Sequence, residues 1–484
     1  MRKIISGLSA EENTDLLEQQ RQERYMEAAR EKTAALAARL HRTPTCHVTN
    51  FGCQMNAKDA EKLLGILLSA GFEETQDEAA DFLIYNTCTV RDNADQRVFG
   101  RLGRVSHYRK NNPDMKIALC GCMMQEDLNV EKVLKSYPFV DLIFGTHNLF
   151  RFPEYLAQIL DSGERIVDIW KKTDRIVESL PSERKYSFKS GVNITFGCDN
   201  FCSYCIVPYV RGRERSRRPE EILGEIRALS ESGVKEIMLL GQNVNSYGRG
   251  LDEPCTFAEL IDRAAKIDGI RRIRFMTPHP KDFSDELIEV IKRNENIARH
   301  VHLPLQSGST QILKQMNRKY TKEQYLALAE KIRTRLPDAA ITTDIIVGFP
   351  GETDRDVDDT IDVIRRVHFD NAYTFIYSKR TGTPAARMED PATEEEKKDR
   401  FSRVLQCVQQ SAKERALLLQ GKVMTGLVEE VNTQSPGKVT ARLSDNMIVH
   451  IDGDESMIGK FYPIRLNTCC GFYYFGETAG EEIV

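Results

Sequence analysis

The chain has 484 residues, room for two to four domains at about 150 residues each. Its 29% charged and 41% hydrophobic residues are ordinary for a globular protein, and a net charge of −4 excludes a globally basic nucleic-acid binder, so any such contact is confined to a local patch. Twelve cysteines are too few for a disulfide scaffold and many for background, so their spacing carries the information.

Residues 1–42 are rich in Glu, Gln, Arg and Ala, with Tyr25, Met26, Ala29 and Leu36 near helical spacing; one or two exposed helices are expected before Pro44. The polar start lacks an apolar leader, and no run approaches 18 apolar residues, so the expected setting is the reducing cytoplasm without a membrane span. There, clustered cysteines are more often metal ligands or catalytic thiols than bridges.

From 43 to 168 short apolar runs at Thr45–Phe51, Phe82–Thr87, Lys116–Cys120 and Val140–Phe144 alternate with helical stretches such as Asp59–Ala70, which predicts an open parallel α/β sheet. Cys53, Cys88 and Cys122 follow the first three runs at intervals of 35 and 34 residues, each about one βαβ unit. They therefore fall at the carboxyl ends of successive strands, where open α/β sheets place ligands. One such residue would be read as core packing; three at equal spacing favour a three-thiolate site.

A charged connector leads to residues 184–420. Six apolar runs, Val192–Phe196, Glu236–Leu240, Ile273–Met276, His300–Leu305, Ile341–Val347 and Ala372–Tyr377, predict a partial (β/α)6 barrel followed by a polar helix to about 420. After the first run comes Gly197-Cys198-Asp199-Asn200-Phe201-Cys202-Ser203-Tyr204-Cys205. Three thiols in C-x3-C-x2-C suit a soft metal centre; zinc and iron–sulfur both take cysteine, and both usually want four ligands. Residues 421–484 contain short strands and tight turns, which predict a small β-barrel.

C-x3-C-x2-C behind the first strand of a six-stranded βα barrel resembles the radical S-adenosylmethionine (SAM) superfamily. The combination with the N-terminal thiols and the C-terminal barrel resembles the MiaB-type tRNA methylthiotransferases over about residues 45–480. The wording agrees at Phe51–Asn56, Asn86–Arg91, Gly197–Arg217, Leu240–Tyr247, His302–Ser309 and Asp344–Thr353. The resemblance implies two 4Fe–4S clusters, one on Cys198, Cys202 and Cys205 and an auxiliary one on Cys53, Cys88 and Cys122. It implies SAM as methyl donor and as radical source, and methylthiolation of carbon-2 of an isopentenyl-type adenosine 3′ of the anticodon. An electron-donor protein and a sulfur source are implied partners, and a monomer is expected. Related substrates of the same chemistry are threonylcarbamoyladenosine in tRNA and a ribosomal-protein aspartate; the Phe51–Asn56 and Arg211–Arg217 wording argues against both.

Within this resemblance Gly241 and Gln242 are expected at the SAM amino acid, Gln306 and Asp344 at its ribose or adenine, and Gly348 and Pro350 in a wall beneath it. Arg211, Arg213 and Arg215 are expected to meet RNA phosphate, since guanidinium forks suit it, although such a run is more often a solvated face. Asn245 and Tyr247 are further substrate candidates, Tyr209 and Tyr247 as stacking partners for an extruded base. The segment from 421 resembles a TRAM domain, an RNA-binding barrel, but holds five Lys and Arg against nine Asp and Glu. The remaining six cysteines, Cys120 among them, are expected to be structural.

Overall fold

The computed structural model describes residues 15–89, 92–178 and 180–483. The start of the helical lead-in and Val90 and Arg91 of the second thiol motif lie outside them. The chain folds as two compact units: residues up to 185 with 196–199 and 206–217, and residues 186–195, 200–205 and 218 onward.

The first unit is built on six parallel strands, β1 (Thr45–Asn50), β2 (Glu73–Glu74), β3 (Phe82–Thr87), β4 (Lys116–Gly121), β5 (Leu142–Phe144) and β6 (Ile166–Asp168), in the order β2-β1-β3-β4-β5-β6. β3 is buried along its whole length, as a central parallel strand covered on both faces must be. Phe82, Ile84 and Cys120 pack on one side and Leu83, Tyr85 and Leu119 on the other. The order reverses between β1 and β3, a topological switch point of the kind at which ligands sit. Among the described residues of the lead-in one helix is present, α1 (Asp15–Leu40), and its Met26 and Ala29 bury against this core. The second helix, α2 (Gln54–Ser69), begins five residues before the expected Asp59, because the chain turns directly out of β1 with Cys53 at the N-cap. Thus the first thiol, at the carboxyl end of β1 as expected, also opens a helix.

The second unit holds the predicted partial barrel. Its strands are β7 (Lys189–Asn193), β8 (Glu236–Leu240), β9 (Arg272–Phe275), β10 (His300–His302), β11 (Ala340–Val347) and β12 (Asn371–Ile376). β7, β8 and β9 form one parallel ladder, β10, β11 and β12 another, and an Ile273–Ile297 bridge joins them. Ile237, Leu239, Ile273, Phe275, Val301, Ile341, Ile345 and Ala372 face the helix-covered side. By the two-residue alternation of strands, Glu236, Arg272, Arg274, His300, His302, Thr342, Asp344, Tyr373 and Phe375 face inward.

Five further strands, β13 (Val423–Val431), β14 (Lys438–Leu443), β15 (Ile448–Asp452), β16 (Phe461–Cys469) and β17 (Tyr473–Thr478), close a small barrel. It stoppers the amino end of the inner face. Arg272 donates to the carbonyls of Thr425 (2.9 Å) and Arg442 (3.0 Å), and Arg274 to those of Leu443 (2.7 Å) and Ser444 (3.2 Å). Both guanidinium groups pair with buried Glu236; burial disfavours its charge, but Arg274 and Arg272 outweigh that and hold its carboxyl below the usual range. Among the described residues no helix is long and apolar enough to cross a membrane.

Candidate functional site

In the first unit Cys53, Cys88 and Cys122 stand at the carboxyl ends of the adjacent strands β1, β3 and β4. Cys88 and Cys122 are buried and Cys53 is exposed. Their neighbourhood is organised by Asn56, one turn into α2. Its Oδ1 accepts from Cys53 Sγ (3.3 Å), lies 3.9 Å from Cys122 Sγ, and accepts from Arg211 Nη2 (3.1 Å). Its Nδ2 donates to Thr87 O (2.8 Å), and Asn86 Nδ2 returns a bond to Asn56 O (2.7 Å). One amide thus ties the ends of β1, β3 and β4 together.

Two glycines permit the approach. A Cβ on Gly52 would stand 2.5 Å from Asn56 Cγ, and one on Gly121, which has φ +94°, would stand 2.4 Å from Thr87 O. Gly121→Ala therefore meets both a backbone clash and left-handed strain. The expected outcome is at least about 2 kcal/mol of lost stability and loss of the iron bound by this unit, read by denaturation and iron assay.

Arg211 is the charged element of the site. It is 6% exposed; Nε donates to Cys122 Sγ (3.3 Å) and Nη2 to Asp59 Oδ2 (2.8 Å). The expectation that it grips RNA phosphate is corrected: its fork is spent on a thiol and a buried carboxylate. Burial works against its charge, yet Cys122, Asp59 and Cys53 raise its pKa further. Burial pushes the Cys122 thiol up to about 11, with Cys88 and Cys53 adding to the rise and Arg211 opposing it. Such a thiol is no free nucleophile at neutral pH, and a metal centre that takes its proton would supply the missing counter-charge.

Among the described residues no group of three His, Cys, Asp or Glu is gathered tightly enough for a single metal ion.

Of the other arginines, Arg215 is half-buried and donates to the Thr173 carbonyl, and Arg217 is buried on Glu178 (2.7 and 2.6 Å). Arg213 alone of the three expected RNA contacts is on the surface, its side chain 74% exposed with a bidentate bond to Asp199. Arg218 is also exposed, beside Glu221. Beside Asp199, Cys198 is held by its N–H bond to Gly212 O (3.1 Å), and Gly197 has φ +76° with a would-be Cβ 2.1 Å from Arg213 O.

Cys202 and Cys205 belong to the second unit. A turn, Cys205 N to Cys202 O (3.0 Å), sets their spacing, and Ser203 pins the loop to Gln315 and Met316 carbonyls. Arg318, which sequence reasoning missed, is buried here: it donates to Cys202 Sγ (3.4 Å), Pro304 O (3.1 Å) and Tyr320 Oη (3.0 Å). A thiol–arginine contact therefore occurs in each unit. The only sequence signal was a lone Arg in Asn317-Arg318-Lys319-Tyr320.

The expected SAM residues lie along the carboxyl ends of the barrel strands. Gly241 follows β8, where a Cβ would stand 2.2 Å from Thr195 Oγ1, and Gln242 is next to it. Gln306 has φ +68°, rare for a residue with a side chain, and is clamped by backbone bonds to Asp344 O and from Ile346 N. Asp344 is partly open, 3.4 Å from His302 Nε2.

Gly348 and Pro350 are buried in a turn whose Gly348 N–H donates to Glu352 (2.6 Å). Burial pushes Glu352 up to about 7 against the pull of Gly348 and Arg400. Its carboxyl stays neutral in the folded chain while the unfolded chain ionises, so stability falls as pH rises from about 4.5 to about 7, by at most about 3 kcal/mol. Glu352→Gln should flatten that part of a Tm-against-pH profile; an unchanged slope refutes the assignment.

Two substrate expectations are corrected. Asn245 spends its amide on His279, donating to its O (2.9 Å) and accepting from its N (2.7 Å). Tyr247 is 4% exposed in the barrel core, where no base can stack on it. Tyr209 is half exposed.

Residues 192–364 match the radical SAM superfamily and residues 45–145 an uncharacterized protein family, UPF0004. A tRNA-2-methylthio-N(6)-dimethylallyladenosine synthase of Lachnoclostridium phytofermentans is 56% identical over 91% of this chain and 97% of its own length. The protein of the same name from Acetivibrio thermocellus is 50% identical over 93% and 94%. The chain belongs to the tRNA-2-methylthio-N(6)-dimethylallyladenosine synthase family. That membership covers both the thiol-bearing sheet and the radical SAM barrel. Among solved structures, the radical SAM methyltransferase TsrM of Kitasatospora setae has a TM-score of 0.53 at 16% identity, over 71% of this chain and 74% of that one, a likeness of fold.

Proposed function

We propose that this chain methylthiolates carbon-2 of N6-dimethylallyladenosine 3′ of the anticodon in tRNA, as a monomer in the cytoplasm served by an electron-donor protein and a sulfur source. The observation that carries the reading is the convergence of Cys53 and Cys122 on Asn56 and Arg211, with Cys88 beside Cys122, in a chain that also has the radical SAM loop. In it Cys198, Cys202 and Cys205 hold one 4Fe–4S cluster and Cys53, Cys88 and Cys122 the other. When bound, these clusters and SAM supply the electron, the radical and the sulfur that an aromatic C–H bond demands and no side-chain acid or base can provide.

The chain's own part is placement. Asn56 fixes the relative positions of three strand ends, and Arg211 and Arg318 each set a buried positive charge against a ligand sulfur. Gly241, Gln242, Gln306, Asp344, Gly348 and Pro350 line the proposed SAM position, and exposed Arg213 is the remaining arginine of its run proposed for RNA phosphate. The same reading assigns residues 43–168 to the auxiliary cluster, 184–420 to SAM and 421–484 to RNA. Mass spectrometry of tRNA nucleosides from cells lacking this chain should show the dimethylallyl nucleoside accumulating without its methylthio derivative. Persistence of the methylthio nucleoside rejects the reading.

A further inference from the structure

The inner face of the partial barrel leaves two large aromatic side chains open. On β12 the helix-side residue Ala372 is buried, whereas Tyr373 is 45% and Phe375 53% exposed. Their register partners on β11 are Asp344 and Ile346, and among the described residues no strand pairs with the other side of β12. Full burial is the usual fate of such residues in a sheet flanked by helices, so an aromatic pair kept open on a concave face marks a contact surface.

The spacing says what fits. Side chains two apart on one strand stand about 6.6 Å apart. That is about twice the 3.5 Å separation of stacked carbon planes, so a flat ring entering between them touches both. Neither wall is charged, and Tyr373 contributes one hydroxyl; its other neighbour is the His302 ring, 6.1 Å between centroids. The pair therefore suits a neutral planar heterocycle with an apolar substituent and not a phosphate. It lies one strand, about 4.8 Å, from Asp344, the residue proposed for SAM, towards the open edge of the sheet.

We propose that Tyr373 and Phe375 form a slot that grips the prenylated adenine of the substrate. This rests on the function proposed above. The test uses the anaerobically reconstituted full chain and two anticodon stem-loop RNAs, identical except for the dimethylallyl group. Wild type should bind the prenylated RNA more tightly by fluorescence anisotropy. Phe375→Ala and Tyr373→Ala should each lose about tenfold of that preference, because each removes an apolar wall that buries the five-carbon substituent. Phe375→Trp should keep it, and iron content, SAM affinity and RNA-independent SAM cleavage should not change.

Preference intact in both alanine variants overturns the slot. So does a selective loss of SAM affinity, which would give the aromatic pair to the cofactor instead. If wild type neither prefers the prenylated RNA nor methylthiolates it, the functional reading fails and the slot with it. If wild type methylthiolates and the variants still discriminate, only the slot fails.

Discussion

Cys122→Ala should lower bound iron from about eight to about four atoms per chain, leave reductive SAM cleavage in place, and reduce methylthiolated product by at least about a hundredfold. The three readouts separate because the two thiol sets are carried on different elements. Cys122 opens a short turn after β4 and touches Asn56 and Arg211, whereas Cys202 touches Arg318 and its neighbour Ser203 is pinned to the Gln315 and Met316 carbonyls. Cys202→Ala should give the converse: no SAM cleavage, with the iron of the first unit retained. Cys120→Ala is the control. Its sulfur lies in the apolar core beside Tyr85 O (3.9 Å), so the change should cost packing stability and leave iron unchanged. Iron lost in Cys120→Ala but kept in Cys122→Ala would reverse the ligand assignment.

Why the sequence distinguished Cys122 from Cys120 only by family wording follows from Gly121. In a regular strand residues two apart share a face. Gly121, at φ +94°, turns the chain so that Cys120 stays in the sheet core while Cys122 leaves it towards Asn56. Period-two and βα alternation were strong enough to place the parallel sheet and the six barrel strands. The two-residue edge strand Glu73–Glu74 and the last barrel strand, Tyr473–Thr478, gave too short or too polar a pattern.

Charge was legible as composition but not as contact. Arg211 to Arg218 read as one basic face, yet the backbone turns at Gly212 and sends Arg211 and Arg217 inward and Arg213 and Arg218 outward. Tyr247 and Tyr373 are both tyrosines in a barrel; only the first lies in the helix-covered core, and only strand register reveals it. Arg318 was invisible because a single buried cation has no periodicity, and its partner Cys202 is 116 residues away.

Arg211→Ala should be the most destabilising single change near the auxiliary thiols, about 3–5 kcal/mol, because it strands the buried Asp59 carboxylate without a partner. The whole penalty need not be the worth of the ion pair. Desolvation of two charges offsets most of their attraction, so removing both is milder than removing one. Asp59→Asn in the Arg211→Ala background should therefore recover more than half of the loss, measured by urea unfolding of the metal-free chain. Arg211 also faces Cys122, and that contact is separable. In the reconstituted protein Arg211→Lys keeps a charge but not the fork that reaches Asp59, Asn56 and the sulfur together. Its auxiliary cluster should be reduced at a lower potential, since a donor to a ligand sulfur stabilises the more negative state. If Arg211→Ala and Asp59→Asn instead add without recovery, the two side chains act independently, and the buried arginine is held by the thiol alone.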